Sequence, residues 1–266
     1  MFVITKYSTF ASEMKTIEYP FAHKDHKVYA NTFLQNVLVE WYFTPVTEDL
    51  DQGYIRRFLD EKFRIQVDEK NNIQYPIVVS TKAKDVQIFL GRDVFKLNVR
   101  VNLYKGFSSL SPLLGYGFEY LKLNEVQNIN RCLIRKIDVF PFQNISESNT
   151  SNETLLSKIF SKELLEGISV SSSNNAFQSF WSKNFNREVE SENVNIKFGF
   201  QRRQPGLSDK QGENSMLLDL SVERNKDMSF NMIEKNLLEM NQILYNAFHW
   251  SVNRDIIDIM GGDDHD

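Results

Sequence analysis

The sequence predicts an α+β protein in which a curved antiparallel sheet, or sheets, packs against a few helices, including a long C-terminal helix. Three observations lead to this prediction. The segment Val94–Asn102 alternates apolar and polar residues, as does a strand with one buried and one wet face. Strand-like runs follow one another with few helices between them, which favours α+β over alternating α/β. From about Ser229 to Val252, apolar residues recur every three or four positions, and this stripe needs a sheet to cover it.

The first half of the chain combines one early strand and helix with a group of later strands. A strand is predicted at Asn36–Thr44, where apolar residues alternate before Pro45. A helix is predicted at about Thr47–Phe63, because acidic residues lie near its start and basic residues lie later. The remaining elements of this half are strands at Ile73–Ser80, Val86–Leu90, Val94–Asn102 and Asn130–Phe140, and a helix from Ser111, as N-cap, to about Val126.

The polar stretch Gln143–Glu153 is the best candidate for a boundary inside the chain. It divides the sequence into an α+β half at 1–142 and a second α+β half at 154–266, with one integrated domain as the open alternative. In the second half, Phe177–Phe185 is rich in aromatic residues but has no clear period. The other predicted elements are a helix at about Glu153–Glu166 and strands at Val194–Gln201 and Met216–Val222, before the final helix.

Composition limits the classes of function. The chain has 266 residues, of which 41% are hydrophobic, enough for a large core. Its net charge of -4 gives no bulk attraction to nucleic acid or anionic lipid. The single cysteine, Cys132, cannot form an intrachain disulfide or a zinc cluster, and its apolar neighbours predict a buried, inert thiol. No signal peptide or membrane-spanning run is recognised, so a cytosolic location is expected.

The fingerprints of common catalytic sites are absent from the sequence. There is no phosphate-binding loop, dinucleotide turn, nucleophile elbow or kinase signature, so the sequence favours a protein that is not an enzyme and has no cofactor. A nuclease, whose carboxylates are scattered, would leave no such fingerprint. On a helix, His23 and His26 would share a face and could hold a metal, with Asp25 close by in the sequence. The segment has no helical pattern and no further ligand is identifiable, so a solvated loop is favoured and no metal is predicted.

Charged residues on predicted strands give two kinds of candidate site. Arg131 and Arg135 lie four apart on one strand and point to the same face. We predict that one of them pairs with Asp219, whose strand neighbours include apolar residues, and an anion contact is the alternative. A second set of cations is predicted either to contact an anion or nucleic acid or to form a solvated face: Lys96, Arg100, Arg202 and Arg203.

Aromatic residues supply the candidate for partner binding. Phe180 and Trp181 lie in the weakly patterned, aromatic-rich segment, and exposed aromatic patches often mark interfaces. We therefore predict that these two residues bind a protein partner.

Three segments resemble a sporadically distributed family of uncharacterised bacterial proteins of about this length. They are the strand Val37–Phe43 before Pro45, the arginine-flanked strand Ile129–Asp138, and Met216–Leu220 together with the helix Ile233–Phe248. Ile137-Asp138 stands where an aromatic-Asn pair is commoner in that family. The resemblance implies an association with mobile elements and with antiphage defence or toxin–antitoxin loci.

The leading hypothesis is a non-enzymatic cytosolic binding protein, acting as a subunit or regulator in a multi-protein bacterial system. Its expected partner is another protein of the same operon, with homo-oligomerisation as an open alternative and no contact with membranes. The second hypothesis is a nucleic-acid-binding protein or nuclease component. The third is a small-molecule pocket between the sheet and the terminal helix.

Overall fold

The computed structural model describes residues 19–29, 31–45, 63–67, 77–101, 104–141, 152–168, 178–201 and 215–261. The strands in these residues are β1 (Leu34–Phe43), β2 (Phe63–Val67), β3 (Ile77–Thr81), β4 (Val86–Leu90), β5 (Val94–Arg100), β6 (Asn128–Pro141), β7 (Gln178–Arg187), β8 (Glu192–Gln201), β9 (Ser215–Arg224) and β10 (Met228–Ser229). The α-helices are α1 (Ser111–Leu123), α2 (Asn152–Ile159), α3 (Lys162–Leu165), α4 (Ile233–Ser251) and α5 (Arg254–Ile259).

The described strands form one open sheet. Nine of them follow the order β2-β3-β4-β5-β1-β6-β9-β8-β7, and β10 adds a short pairing to β6. Every pairing between described strands is antiparallel. The predicted α+β fold, an antiparallel sheet with a few helices and a long C-terminal one, is therefore confirmed. Because β6 pairs with β9, a single sheet runs through both halves of the chain.

The core lies between one side of this sheet and the helices, which gives a two-layer arrangement. The sheet contributes almost fully buried side chains to this core, among them Trp41, Leu97, Ile134 and Leu220. The long helix α4 packs across β6 and β9 and buries its apolar stripe there, as its period predicts. None of the described helices is both long and apolar enough to cross a lipid bilayer.

Helix α1 contacts the sheet closely because Gly117 has no side chain. A Cβ atom at this position would lie 2.6 Å from the Trp41 ring and 2.7 Å from the Phe95 ring. Gly117 weakens the helical pattern in the sequence, but the close packing of α1 on the sheet requires a glycine at this position. The boundary prediction was less accurate, since the N-cap is Leu110 rather than Ser111.

Three predictions for individual elements were wrong or incomplete. The helix expected at Glu153–Glu166 is interrupted, because Phe160 forms a β-bridge with Val252 and the Ser161 side chain caps α3 by accepting from the Leu164 N–H. Phe63 begins β2 instead of ending a helix. The aromatic segment without a clear period is the strand β7. Residues 47–62 of the predicted helix and residues 143–151 of the predicted connection lie outside the described residues.

Candidate interaction surface

The described helices cover one side of the sheet and leave the other side open. Asn241 of α4 accepts a hydrogen bond from Lys136 of β6, and Gly117 of α1 lies against Trp41 of β1. Successive strand residues point to opposite sides, so the neighbours of Lys136 and Trp41 point away from the helices. We call this second side the uncovered face. Its polar side chains in the central and edge strands include Lys96, Asn98, Arg100, Glu40, Arg131, Arg135, Asp219, Ser221, Glu223, Asn193, Asn195, Lys197, Ser182 and Asn184.

Two arginine–carboxylate pairs cross from β6 to β9 at the centre of the uncovered face. Arg135 donates to both carboxylate oxygens of Asp219, at 2.7 and 2.6 Å. The Nε atom of Arg131 lies 2.9 Å from Oε1 of Glu223. The hydrogen bonds to Asp219 raise the pKa of Arg135. The structure thus brings Arg135, but not Arg131, to Asp219.

The two pairs repeat the same geometry. Arg135 faces Ser221 across the strands, so Asp219 is its diagonal neighbour. Arg131 and Glu223 have the same diagonal relation, four residues along each strand from Arg135 and Asp219. Sequence reasoning missed Glu223, although its spacing of four from Asp219 mirrors the spacing of the two arginines.

Lys96 continues the charged region into β5. Its Nζ atom lies 2.9 Å from Oε1 of Glu40, which also accepts a hydrogen bond of 2.7 Å from the Tyr42 hydroxyl. Arg100 is exposed at the end of β5, on the same side as Lys96. The other two cations of this predicted set, Arg202 and Arg203, lie outside the described residues.

Two pairs of amide side chains flank these charges, one on each side of the uncovered face. Asn98 of β5 donates to Gln87 of β4 at 3.3 Å, and Asn195 of β8 donates to Asn184 of β7 at 2.5 Å. Amides both donate and accept hydrogen bonds, so these pairs can satisfy the mixed polar groups of a protein surface.

Phe180 and Trp181 lie on opposite sides of β7, because consecutive strand residues alternate. Phe180 is on the uncovered face with 40% of its surface exposed, and the Lys197 Nζ atom lies 5.2 Å from its ring centroid. Trp181 points to the covered side, where its ring stacks on Phe198 at 6.0 Å. The two predicted partner-binding residues therefore do not form one patch.

The Phe180 ring depends on a glycine across the strand. Phe180 and Gly199 are direct partners in the β7–β8 ladder. A Cβ atom on Gly199 would lie 2.5 Å from a Phe180 ring carbon and 2.1 Å from the Ser179 carbonyl oxygen. The Phe180 ring can therefore lie against the sheet only because Gly199 has no side chain.

The covered side contains a second group of charges where β8 begins and β9 ends. Arg224 donates from Nε to Glu192 at 2.5 Å and from a terminal nitrogen to Glu239 of α4 at 2.9 Å. Tyr19 donates to the other Glu192 oxygen at 2.7 Å, and Asn236 accepts from Arg224. These groups, of which Arg224 and Glu192 are almost fully buried, satisfy one another and join the sheet, α4 and the segment 19–29.

Segment 19–29 lies along α4 and contains the histidines weighed as metal ligands. His26 stacks on Tyr245 with ring centroids 4.4 Å apart, and its Nε2 atom lies 3.4 Å from the Asn241 amide nitrogen. Burial of the ring and the charge of Lys136 lower the pKa of His26 to about 4. His23 lies 3.8 Å from Asp25 at the surface. Within the described residues, no three histidine, cysteine, aspartate or glutamate side chains form a metal-binding group.

Cys132 lies on the covered side and is buried. Burial raises the pKa of its thiol to about 12. Since the thiolate is the reactive form, this geometry disfavours a nucleophilic role for Cys132.

No family model matches the chain, and no curated protein matches it significantly.

Proposed function

We propose that this protein is a non-enzymatic binding protein that holds another protein on the uncovered face of its sheet. It would act as a subunit or regulator of a multi-protein assembly, with the product of a neighbouring gene in a bacterial defence or toxin–antitoxin locus as the expected partner. The observation that carries the proposal is the pairing of opposite charges across this face, bordered by amides and an exposed aromatic ring.

The charge pattern supports a protein partner over a polyanion. Lys96, Arg131 and Arg135 each lie within 2.9 Å of a carboxylate oxygen. A surface that binds nucleic acid needs cations that are available to replace the counterions of the phosphates. A folded protein, in contrast, presents both signs of charge and both donors and acceptors, which match this mixed surface.

The covered side supports a structural role for the interior rather than a ligand pocket. Leu237, Met240 and Leu244 of α4 are almost fully buried against the sheet. Close packing of this kind fills the space in which the small-molecule hypothesis would place a ligand. The uncovered face is therefore the better candidate for binding.

The test is to purify tagged protein from its native cells and measure the mass of the complex. We expect a mass larger than that of the 31.2 kDa chain or its homo-oligomer, the excess being the mass of a second protein. The double variant Phe180→Ala, Lys197→Glu changes two exposed groups of the uncovered face. It should reduce the co-purified partner about tenfold, the effect of losing about 1.4 kcal/mol of binding energy.

A matched control changes the same residue classes on helices of the covered side. Ile259→Ala, Lys158→Glu alters one exposed apolar residue of α5 and one exposed lysine of α2. Equal loss of partner from both double variants would contradict the use of the uncovered face. The nucleic-acid hypothesis would be favoured instead if the complex dissociated on nuclease treatment and if the affinity of the protein for nucleic acid fell steeply as the salt concentration rose.

A further inference from the structure

Strand β7 forms an open edge of the sheet. All ten of its residues pair with β8 in an unbroken register. Among the described strands, no other strand pairs with β7. Its second edge therefore presents backbone N–H and C=O groups to which another strand can add.

This edge lacks several of the features that usually prevent strand addition. The sequence of β7 has no proline and no acidic residue, and the regular register shows no bulge. Its two cations point to the covered side and are already engaged there. Lys183 donates to the carbonyl oxygens of Glu163 and Glu166 at 3.0 Å, and Arg187 lies 3.5 Å from Glu192. The side chains on the uncovered face are uncharged.

We propose that β7 pairs antiparallel with β7 of a second copy of this chain, so that a two-fold axis at Ser182 joins two sheets into one. Such a symmetric contact requires that residues on the same side of the sheet face each other. A register centred on Ser182 meets this condition and pairs Gln178 with Asn186, which uses nearly the whole strand. The dimer continues the uncovered face of one copy into that of the other.

The strand is complementary to itself in this register. Phe180 faces Asn184, and Trp181 faces the methylene stem of Lys183 in the second copy, so no like charges are opposed. A shift that centred the axis on Lys183 would oppose two lysines, which is destabilising. This match of the strand with its own sequence identifies a second copy, rather than an unrelated peptide, as the occupant of the edge.

The experiment uses the full chain and measures its mass in solution by sedimentation and light scattering. The wild-type protein should have twice the 31.2 kDa mass of the chain. Ser182 is exposed, so Ser182→Lys and Ser182→Glu should both fold and both be monomeric, because each places two like charges at the axis. An equimolar mixture of the two variants should regain the dimer, since opposite charges then meet.

A control variant, Ser157→Lys, adds the same charge at an exposed position of α2 and should remain dimeric. Three results would overturn the proposal. They are a wild-type monomer at about 100 μM, where even a contact of about 10 μM affinity would be mostly formed; two dimeric Ser182 variants; or a mixture that stays monomeric. The uncovered face is the same whether or not a second copy pairs with β7. A failure of the dimer test therefore leaves the proposed function intact.

Discussion

The two sides of the sheet hold arginine–carboxylate pairs of the same chemistry in opposite surroundings. On the covered side, the Arg224 side chain is 6% exposed and its partner Glu192 is 0% exposed. On the uncovered face, the Arg135 side chain is 42% exposed and Asp219 is 8% exposed. Both pairs have their closest nitrogen and oxygen atoms within 2.6 Å of each other. Distance alone therefore does not distinguish a pair that stabilises the fold from one that is available to a partner.

The surroundings decide what each pair contributes. Glu192 cannot be reached by water, so its charge depends on Arg224, on Arg187 at 3.5 Å and on the hydroxyl of Tyr19. Burial, together with the hydrogen bond to Glu192, raises the pKa of Tyr19 and keeps it a donor. Arg135 is half exposed, and water can replace its bonds when the pair opens. The covered pair is thus part of the fold, and the uncovered pair is a surface group.

The largest effect is expected when the covered pair is broken. Arg224→Met should lower the free energy of unfolding by about 3–5 kcal/mol, because it leaves the buried charge of Glu192 without its closest cation. Urea denaturation at neutral pH, monitored by tryptophan fluorescence and circular dichroism, measures this loss.

The double variant Arg224→Met, Glu192→Leu serves as the control for the charge itself. It removes both buried charges, so it should recover part of the stability that the single substitution loses. A single variant as stable as the wild type would show that the covered cluster does not hold the sheet, α4 and segment 19–29 together.

A smaller effect, but one that depends on pH, is expected at Asp138. This carboxyl is buried on the covered side, and burial raises its pKa from 3.8 to about 7, although Lys136 opposes the shift. The folded protein therefore keeps a proton that the unfolded chain releases above about pH 4. The free energy of unfolding should fall as the pH rises from about 4 to about 7 and should level off above about pH 7. Between about pH 5 and about pH 8, the loss from this group amounts to roughly 2–3 kcal/mol.

Asp138→Asn isolates this contribution, because the amide has no proton to lose in that range. The free energy of unfolding of the wild type relative to the variant should decrease between about pH 5 and about pH 8, by the amount expected for Asp138. Parallel pH profiles for the two proteins would mean that Asp138 ionises in the folded state as it does in the unfolded chain.

Much of this comparison could be predicted from the sequence, because it depends on local periodicity. The spacing of four on one strand predicts that Arg131 and Arg135 share a face, and the apolar stripe of α4 requires a sheet beneath it. An ion pair between one of these arginines and Asp219 followed from the cost of leaving either charge unpaired on a half-buried strand.

The rest depends on long-range register, which no local pattern contains. The partnership of Arg224 with Glu192 arises because β8 and β9 pair at those positions, and Glu239 joins them from a helix. The identity of β7 as an edge strand follows from the order of the whole sheet. The sequence predicts one patch at Phe180 and Trp181, because a short aromatic run does not show its strand period when both faces carry aromatic side chains.

The smallest effect is expected on the uncovered face. Arg135→Met should cost no more than about 1 kcal/mol of unfolding free energy, since Lys197 lies directly across from Asp219 on β8 and water reaches the exposed arginine. A double-mutant cycle of Arg135→Met and Asp219→Asn should give a coupling of about 0.2–1 kcal/mol that decreases as salt screens the pair. A coupling of about 3 kcal/mol that is independent of salt would show that this pair is shielded as Arg224 is. In that case both sides of the sheet would be closed to a partner, and the proposed binding surface would have to lie elsewhere on the protein.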